Sequence, residues 1–230
     1  MSTKTKEYQI RREIEVPHNG EIINFIYDIY GPDTYAKVAE SITMDNLTRP
    51  TMGETASLLH SVFQEDEKEF SEIRDLMKNR WLWVFTGTLY VPNKGAYVQD
   101  SPKIKDGMPL MEESELVKKL EDNDPTVRHA PFGFKTRAMT PIQLARNPYV
   151  IALAGEEGAE KLAQVADKHK NRPYLCGFDS VDSPATRVSA LLSDWDWGDR
   201  RLYVSDNLHE SSDGCAFGVR KTGEASRAEK

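Results

Sequence analysis

An aromatic β-hairpin lies between segments of helical periodicity, and this feature does most to narrow the choice of fold. Trp81 to Val91 is rich in β-prone residues, and the turn Pro92-Asn93-Lys94-Gly95 leads into a second β-prone run, Ala96 to Gln99. Before the hairpin, Thr51 to Gln64 and Phe70 to Lys78 carry apolar residues at helical spacing. Strands and helices in one chain predict a mixed α+β fold.

Other segments extend this pattern along the chain. Helices are predicted at Thr34 to Ile42, Glu112 to Asp122, Thr140 to Arg146 and Glu156 to Lys170, with Pro148 expected to end the third of them. Short strands are predicted at Glu13 to Val16, Val188 to Leu192, Leu202 to Val204 and Ala216 to Arg220. Two segments stay open: Ile22 to Tyr30 fits a strand or a helix, and Val127 to Lys135 fits a strand or an extended loop.

The length of 230 residues fits a single domain. We expect that domain to span residues 8–221, after a flexible leader at 1–7 and before a flexible tail at 222–230.

The formal net charge of −7 argues against nucleic acid as a partner, because an acidic surface repels phosphate. The longest apolar stretch, Tyr149 to Ala154, is too short to cross a bilayer, and the first residues lack the apolar run of a signal peptide. Two cysteines in a chain of this length favour a reducing compartment. The sequence therefore predicts a soluble protein that is made in the cytoplasm and does not insert into membranes.

No arrangement of residues identifies a reaction, a metal or a cofactor. The five histidines show no metal-ligand spacing, and the chain has no glycine-rich phosphate loop. Asp194, Asp196 and Asp199 suggest a calcium loop, but the closing glutamate of such a loop is missing. Cys176 and Cys215 could form a redox pair, or one of them a nucleophilic site with His209 as base. Cys176 has no neighbouring cation to activate it and Cys215 precedes an apolar strand, so buried or incidental thiols are favoured.

The segment from Phe178 to Asp213 differs in composition from the rest of the chain. It holds eight acidic and three basic residues and no lysine. Aromatic residues and short polar residues alternate there between predicted strands, a mixture typical of binding loops. An ordinary acidic surface is the alternative interpretation.

The late strands resemble a known family. Thr186 to Ser189, Arg201 to Val204 and Gly214 to Arg220 follow the layout of C-type-lectin-fold proteins of the formylglycine-generating type, whose strands close on a terminal Gly-Phe-Arg-type strand. The layout is most similar to the variable proteins of diversity-generating retroelements, a family with viral and archaeal members. The resemblance covers roughly the last fifth of the chain well and the hairpin at Trp81 loosely.

The resemblance implies a C-type-lectin-like α+β fold with an elaborated helical amino-terminal part and a variable region at about 176–215. In that family, substitutions arise at adenines of the template, typically in asparagine codons. Randomising the first two bases of such a codon cannot produce Lys, Glu, Gln, Met or Trp. Cys176 to Ser183 holds only permitted residue types, and between Ser205 and Cys215 only Glu210 falls outside them. The calcium triplet of sugar-binding lectins is absent, so the resemblance does not imply calcium-dependent sugar binding.

We therefore predict a non-enzymatic protein that binds a protein or other macromolecular ligand, with a basic partner favoured by the acidic segments. The strands are expected to hold the binding loops on one face. The candidate ligand-binding residues are Phe178, Asp179, Ser180, Val181, Asp182, Asp194, Trp195, Asp196, Trp197, Asp199, Arg200, Tyr203, Ser205, Asp206, Asn207, His209, Ser211, Ser212 and Asp213. The alternatives are a cysteine-dependent enzyme on the same scaffold and a structural subunit of a viral or cellular assembly. Under the resemblance, the final location would be a virion or a cell surface.

Overall fold

A computed structural model describes residues 12–65, 68–194, 200–208 and 213–220. These residues form six helices, which are α1 (Tyr35–Met44), α2 (Met52–Gln64), α3 (Lys68–Asn79), α4 (Glu113–Glu121), α5 (Pro141–Ala145) and α6 (Pro148–Asp167). They also form eleven strands, which are β1 (Glu13–His18), β2 (Glu21–Asp33), β3 (Trp81–Val91), β4 (Gly95–Asp100), β5 (Ile104–Lys105), β6 (Met108–Pro109), β7 (Val127–Pro131), β8 (Tyr174–Cys176), β9 (Ala185–Asp194), β10 (Arg201–Leu208) and β11 (Gly214–Arg220). The mixed α+β prediction is confirmed.

Nine of the strands form one large sheet. Its main order is β1-β2-β11-β3-β9-β10-β8, and β4 and β7 branch from the second half of β3. β3 pairs with β11 at its first residues and with β4 at its last residues, while β9 runs along its other edge. The predicted hairpin is therefore confirmed as β3 and β4, and the three predicted late strands lie in the same sheet, each longer than expected.

The sheet has a core on each face. Side chains of β3 alternate: Leu82 and Val84 pack with α2, α3 and α6 on one face, and Trp83 and Phe85 pack with α1 on the other. The β5–β6 hairpin covers part of the α1 face through Ile104 and Met108. A third, smaller cluster fills the space between α4 and the strands β3, β4 and β7. The large sheet thus lies between two helical layers of unequal extent.

Several helix starts follow from local sequence. Thr51 and Glu54 form a capping box at the start of α2, as Thr140 and Gln143 do for α5. The expectation that Pro148 ends a helix is incomplete, because Asn147 caps α6 and Pro148 occupies its first turn. Gly155, at φ 74°, interrupts α6 before its second half. None of the helices in the described residues is both long and apolar enough to cross a membrane.

A polar network joins the sheet to the break in α6. The Arg128 guanidinium makes a bidentate ion pair with Asp100, with N···O distances of 2.7 and 2.8 Å. It also donates to the carbonyl oxygens of Ala152 and Leu153, which end the first half of α6. Asp100 accepts a further hydrogen bond from Thr86, whose hydroxyl accepts one from the backbone of Met52 at the start of α2. One ion pair therefore holds two strands and two helix ends.

Gly214 allows β11 to pass close to a buried indole. A Cβ atom at this position would lie 1.9 Å from Nε1 of Trp83. That nitrogen donates a hydrogen bond to the carbonyl oxygen of Asp33 at 3.1 Å. The start of the last strand therefore requires a residue without a side chain.

Candidate binding surface

The strands that carry much of the predicted site lie at one side of the large sheet. β8 pairs with β10 in parallel, and β10 pairs with β9 in antiparallel orientation. In this register, Tyr203 lies opposite Tyr174 on β8 and opposite Leu192 on β9. The three strands form a small platform with Tyr203 at its centre.

Alternation along the strands sets which side chains face outward. Leu202 and Val204 are fully buried in the core beneath α6, so Tyr203 between them points to the opposite face. Leu175 on β8 is buried in the same core, which places Tyr174 on the face of Tyr203.

Two tyrosines and an arginine line this face. The ring centroids of Tyr174 and Tyr203 are 5.9 Å apart, and the Arg201 guanidinium carbon lies 6.0 Å from the centroid of the Tyr203 ring. All three side chains are half-buried. We call them the tyrosine–arginine ladder. Its members contact one another, and each tyrosine has few rotatable bonds, so ordering them against a partner would cost this protein little side-chain entropy.

The face that carries this ladder has little cover from the described elements. α1 packs on β2 and β11, and the β5–β6 hairpin packs on β9, so the described elements of that layer end short of β8 and β10. On its other face, β10 contacts α6. Leu192 and Ser205 on the same face are nonetheless buried. The tyrosine–arginine ladder is therefore the half-exposed aromatic part of a partly open sheet face, as far as the described residues extend.

The loop after β8 has a fixed base. The Phe178 ring packs edge-on against Tyr90, with centroids 5.2 Å apart, and the Arg187 guanidinium lies 5.1 Å from the centre of the Phe178 ring. Asp179 accepts hydrogen bonds from the backbone and hydroxyl of Thr136 at 2.9 and 2.7 Å. Beyond this base, Ser180 and Asp182 are exposed. Two polar residues thus extend from an anchored turn.

The strand directions place the described parts of the predicted binding loops at different ends of the platform. Because β9 and β10 are antiparallel, Arg200 at the tip of their hairpin lies at one end of β10, and the loop after β8 lies at the other. Those ends are roughly 23 Å apart along the eight residues of β10. Asp213 lies near the start of β3, where its carboxylate is 3.9 Å from the guanidinium of Arg80. The exposed residues flank the open face from its two ends.

Two of the predicted contact residues are covered by the protein itself. Ser205 is 2% exposed and pairs with Cys176 across the β8–β10 ladder. Val181 packs partly against the main core. Ser205 is therefore not placed to meet a partner directly, whereas Val181 is half-buried.

Part of the predicted site lies outside the described residues. This applies to Trp195, Asp196, Trp197, Asp199, His209, Ser211 and Ser212. For Asp194, Asp206 and Asn207, the structure describes the backbone, at the end of β9 and in the last part of β10.

The two cysteines are free and far apart. Cys176 on β8 and Cys215 on β11 are separated by four strand positions, roughly 19 Å across the sheet. Burial raises the pKa of both thiols above that of a free cysteine. A nucleophilic cysteine needs the opposite shift, so neither thiol has the environment of a catalytic residue.

One polar cluster contains residue types used in catalysis. The hydroxyl of Ser57 lies 2.9 Å from Nδ1 of His18 and 3.0 Å from Nζ of Lys161, which also pairs with Glu157. Burial lowers the pKa of His18. Ser57, however, is fully buried on α2, so a substrate could not reach its hydroxyl. The cluster attaches the turn after β1 to α2 and α6.

The sequence interpretation missed Tyr174 and Arg201. The signal that could have found Arg201 is the alternation around Leu202 and Val204, which places residues 201, 203 and 205 on one face. Tyr174 had no comparable signal, because β8 is only three residues long and its pairing with β10 is set by tertiary structure.

Within the described part of the chain, no group of three or more His, Cys, Asp or Glu side chains is arranged to hold a metal ion. Comparison with known proteins gives no family either: no protein-family model, no curated protein and no solved structure matches this chain.

Proposed function

We propose that the protein is a non-enzymatic binding protein whose contact surface is centred on the tyrosine–arginine ladder of Tyr174, Arg201 and Tyr203. The observation that carries this proposal is a half-exposed aromatic and arginine cluster on a sheet face that α1 and the β5–β6 hairpin cover only in part. Tyr and Arg are enriched among the residues that contribute most to binding energy. A rigid sheet behind them favours affinity, because little conformational entropy is lost on binding.

The exposed polar residues at both ends of this face would supply specificity. Ser180 and Asp182 lie at one end and Arg200 at the other. The segment from Phe178 to Asp213 is acidic, so charge complementarity favours a basic macromolecule, most simply a lysine- or arginine-bearing protein segment.

For the scaffold, we propose a C-type-lectin-like fold of the retroelement variable-protein type. The order of the late strands supports this: β9 and β10 form a hairpin, and the chain then enters the sheet through β11, which carries Gly214 and Phe217. An elaborated helical part precedes these strands, as the resemblance implies.

If this surface is diversified, related copies of the gene should differ in a defined part of the sequence. Copies from closely related genomes should differ mainly between residues 176 and 215, at positions outside the buried set Leu202, Val204 and Ser205. Sequencing such copies would provide the measurement. Differences spread evenly along the chain, or concentrated in the helices, would refute diversification of this surface.

Binding can be tested with a phage-displayed random-peptide library as the probe. We expect selection on the full chain to enrich lysine- and arginine-rich peptides. The triple variant Tyr174→Ala, Arg201→Ala, Tyr203→Ala should weaken binding of the selected peptides by about thirtyfold or more, since truncating even one hot spot costs about 2 kcal/mol. Its Tm should fall by no more than about 5 °C, because these side chains are only half-buried.

A matched control removes exposed apolar area elsewhere. Ile22→Ala with Ile29→Ala alters side chains that are 44% and 39% exposed on β2 and should leave peptide affinity unchanged. If the selected peptides bound the triple variant as tightly as the original chain, the contact surface would lie elsewhere. If the triple variant unfolded, the ladder would be structural.

A further inference from the structure

A groove on the helical side of the sheet is separate from the proposed binding face. It lies between α5 and the second half of α6, next to the end of α2, and has a volume of about 600 Å³. Pro141, Ile142, Ala145 and Ala163 give it an apolar lining. The Ile142 side chain is 64% exposed, a high value for a large apolar residue. The groove is thus lined by apolar side chains, and the exposed Ile142 side chain lies at its edge.

The charged residues around the groove balance one another. Arg146 and Lys168 are basic, Glu160 and Asp167 are acidic, and all four side chains are exposed. The chain as a whole carries a net charge of −7, so most of its surface would repel a second copy. The four charges around the groove sum to zero, so two copies could meet there without placing an excess of like charge in contact.

The order of these charges along α6 matches a two-fold arrangement. Glu160 lies four residues before Gln164, and Lys168 lies four residues after it. If two α6 helices crossed in antiparallel orientation at Gln164, Glu160 of each copy would lie opposite Lys168 of the other. The crossing point is favourable, because Ala163 allows close approach and the Gln164 amide is held by His60 at 2.6 Å.

We propose that the α5–α6 groove binds a second copy of this chain and forms a two-fold symmetric homodimer. Ile142 of each copy would enter the groove of the other, and Arg146 would meet the acidic side chains of α6 across the axis. The same patch then serves both partners, as a symmetric dimer requires.

This dimer would leave the proposed binding face free. α6 packs against one face of β10, whereas the tyrosine–arginine ladder lies on the opposite face. The two proposals are therefore independent, and failure of one leaves the other standing. A dimer would also present two ladders, which raises avidity for a repetitive partner.

Charge reversal tests the arrangement directly. Sedimentation velocity over a range of protein concentrations should show a mass rising from 26.1 kDa toward twice that value. Glu160→Lys and Lys168→Glu, each alone, should raise the dimer dissociation constant about tenfold or more, because each places like charges opposite one another twice. The double variant restores both pairs with opposite polarity and should recover most of the affinity.

Matched controls distinguish the effect of pairing between Glu160 and Lys168 from the effect of a changed net charge on dimerisation. Lys170→Glu changes the net charge as Lys168→Glu does but lies outside the groove, so it should have a much smaller effect. Ile142→Glu should abolish dimerisation. A chain that stays monomeric at every concentration would overturn the proposal. So would a dimer that is insensitive to these variants, or a double variant that is no tighter than the single ones.

Discussion

Replacing Gly214 by alanine is expected to destabilise the protein by about 3 kcal/mol or more, at the upper end of what overpacking a core produces. The added methyl would lie 1.9 Å from Nε1 and 2.0 Å from Cε2 of Trp83, far inside van der Waals contact. The indole cannot move freely, because it is buried and donates to the carbonyl of Asp33. Chemical denaturation monitored by tryptophan fluorescence would measure the loss.

A second glycine separates steric overlap from backbone strain. Gly20 has φ 80°, and a Cβ added there would have no atom within 4 Å, so Gly20→Ala should cost only about 1 kcal/mol through conformation. Gly214→Ala combined with Trp83→Leu should cost less than the sum of the two single variants, because the smaller side chain leaves space for the added methyl. Equal stability of the two alanine variants would show that β11 and Trp83 are not in this close contact.

Replacing Arg128 by methionine is expected to cost about 3 kcal/mol, the lower end for breaking a buried ion pair. The Arg128 and Asp100 side chains are 26% and 19% exposed, so solvent screens the pair only in part. Methionine would keep much of the apolar contact but leave Asp100 without its cation and the carbonyls of Ala152 and Leu153 without their donor. Thermal and chemical unfolding would both report the change.

An exposed ion pair provides the comparison for this variant. Lys94 and Glu113 are paired with side chains 55% and 33% exposed, so Lys94→Met should cost less than about 1 kcal/mol. The double variant Asp100→Leu, Arg128→Met should be less destabilised than the sum of the two single variants, because it leaves no buried charge unpaired. Strict additivity would mean that the two side chains are not coupled.

The local elements were largely predictable, because their signals lie within a few residues. Thr51 and Glu54 mark the start of α2, and the alternation around Leu202 and Val204 marks β10. The first half of α6 was missed because a proline can either end a helix or occupy its first turn. In this chain Pro148 occupies a first turn, as the hydrogen bond from the Tyr149 backbone to the Asn147 side chain shows.

The candidate binding surface was less predictable, because it depends on strand direction and on what covers each face. Composition drew attention to both Tyr203 and Ser205, but it could not show that Ser205 is buried while Tyr203 is half-exposed. Nor could it show that Arg200 and Asp182 lie at opposite ends of β10. Both facts follow from pairings between residues far apart in the chain, which local patterns do not encode.

The position of β11 has a consequence for how the chain can be assembled. β11 lies between β2 and β3, which are both made much earlier. Until β11 has been synthesised, both of these strands keep an unpaired edge, and such edges invite pairing with other chains. The nascent protein would therefore depend on its helices to shield the central sheet until β11 pairs with both strands.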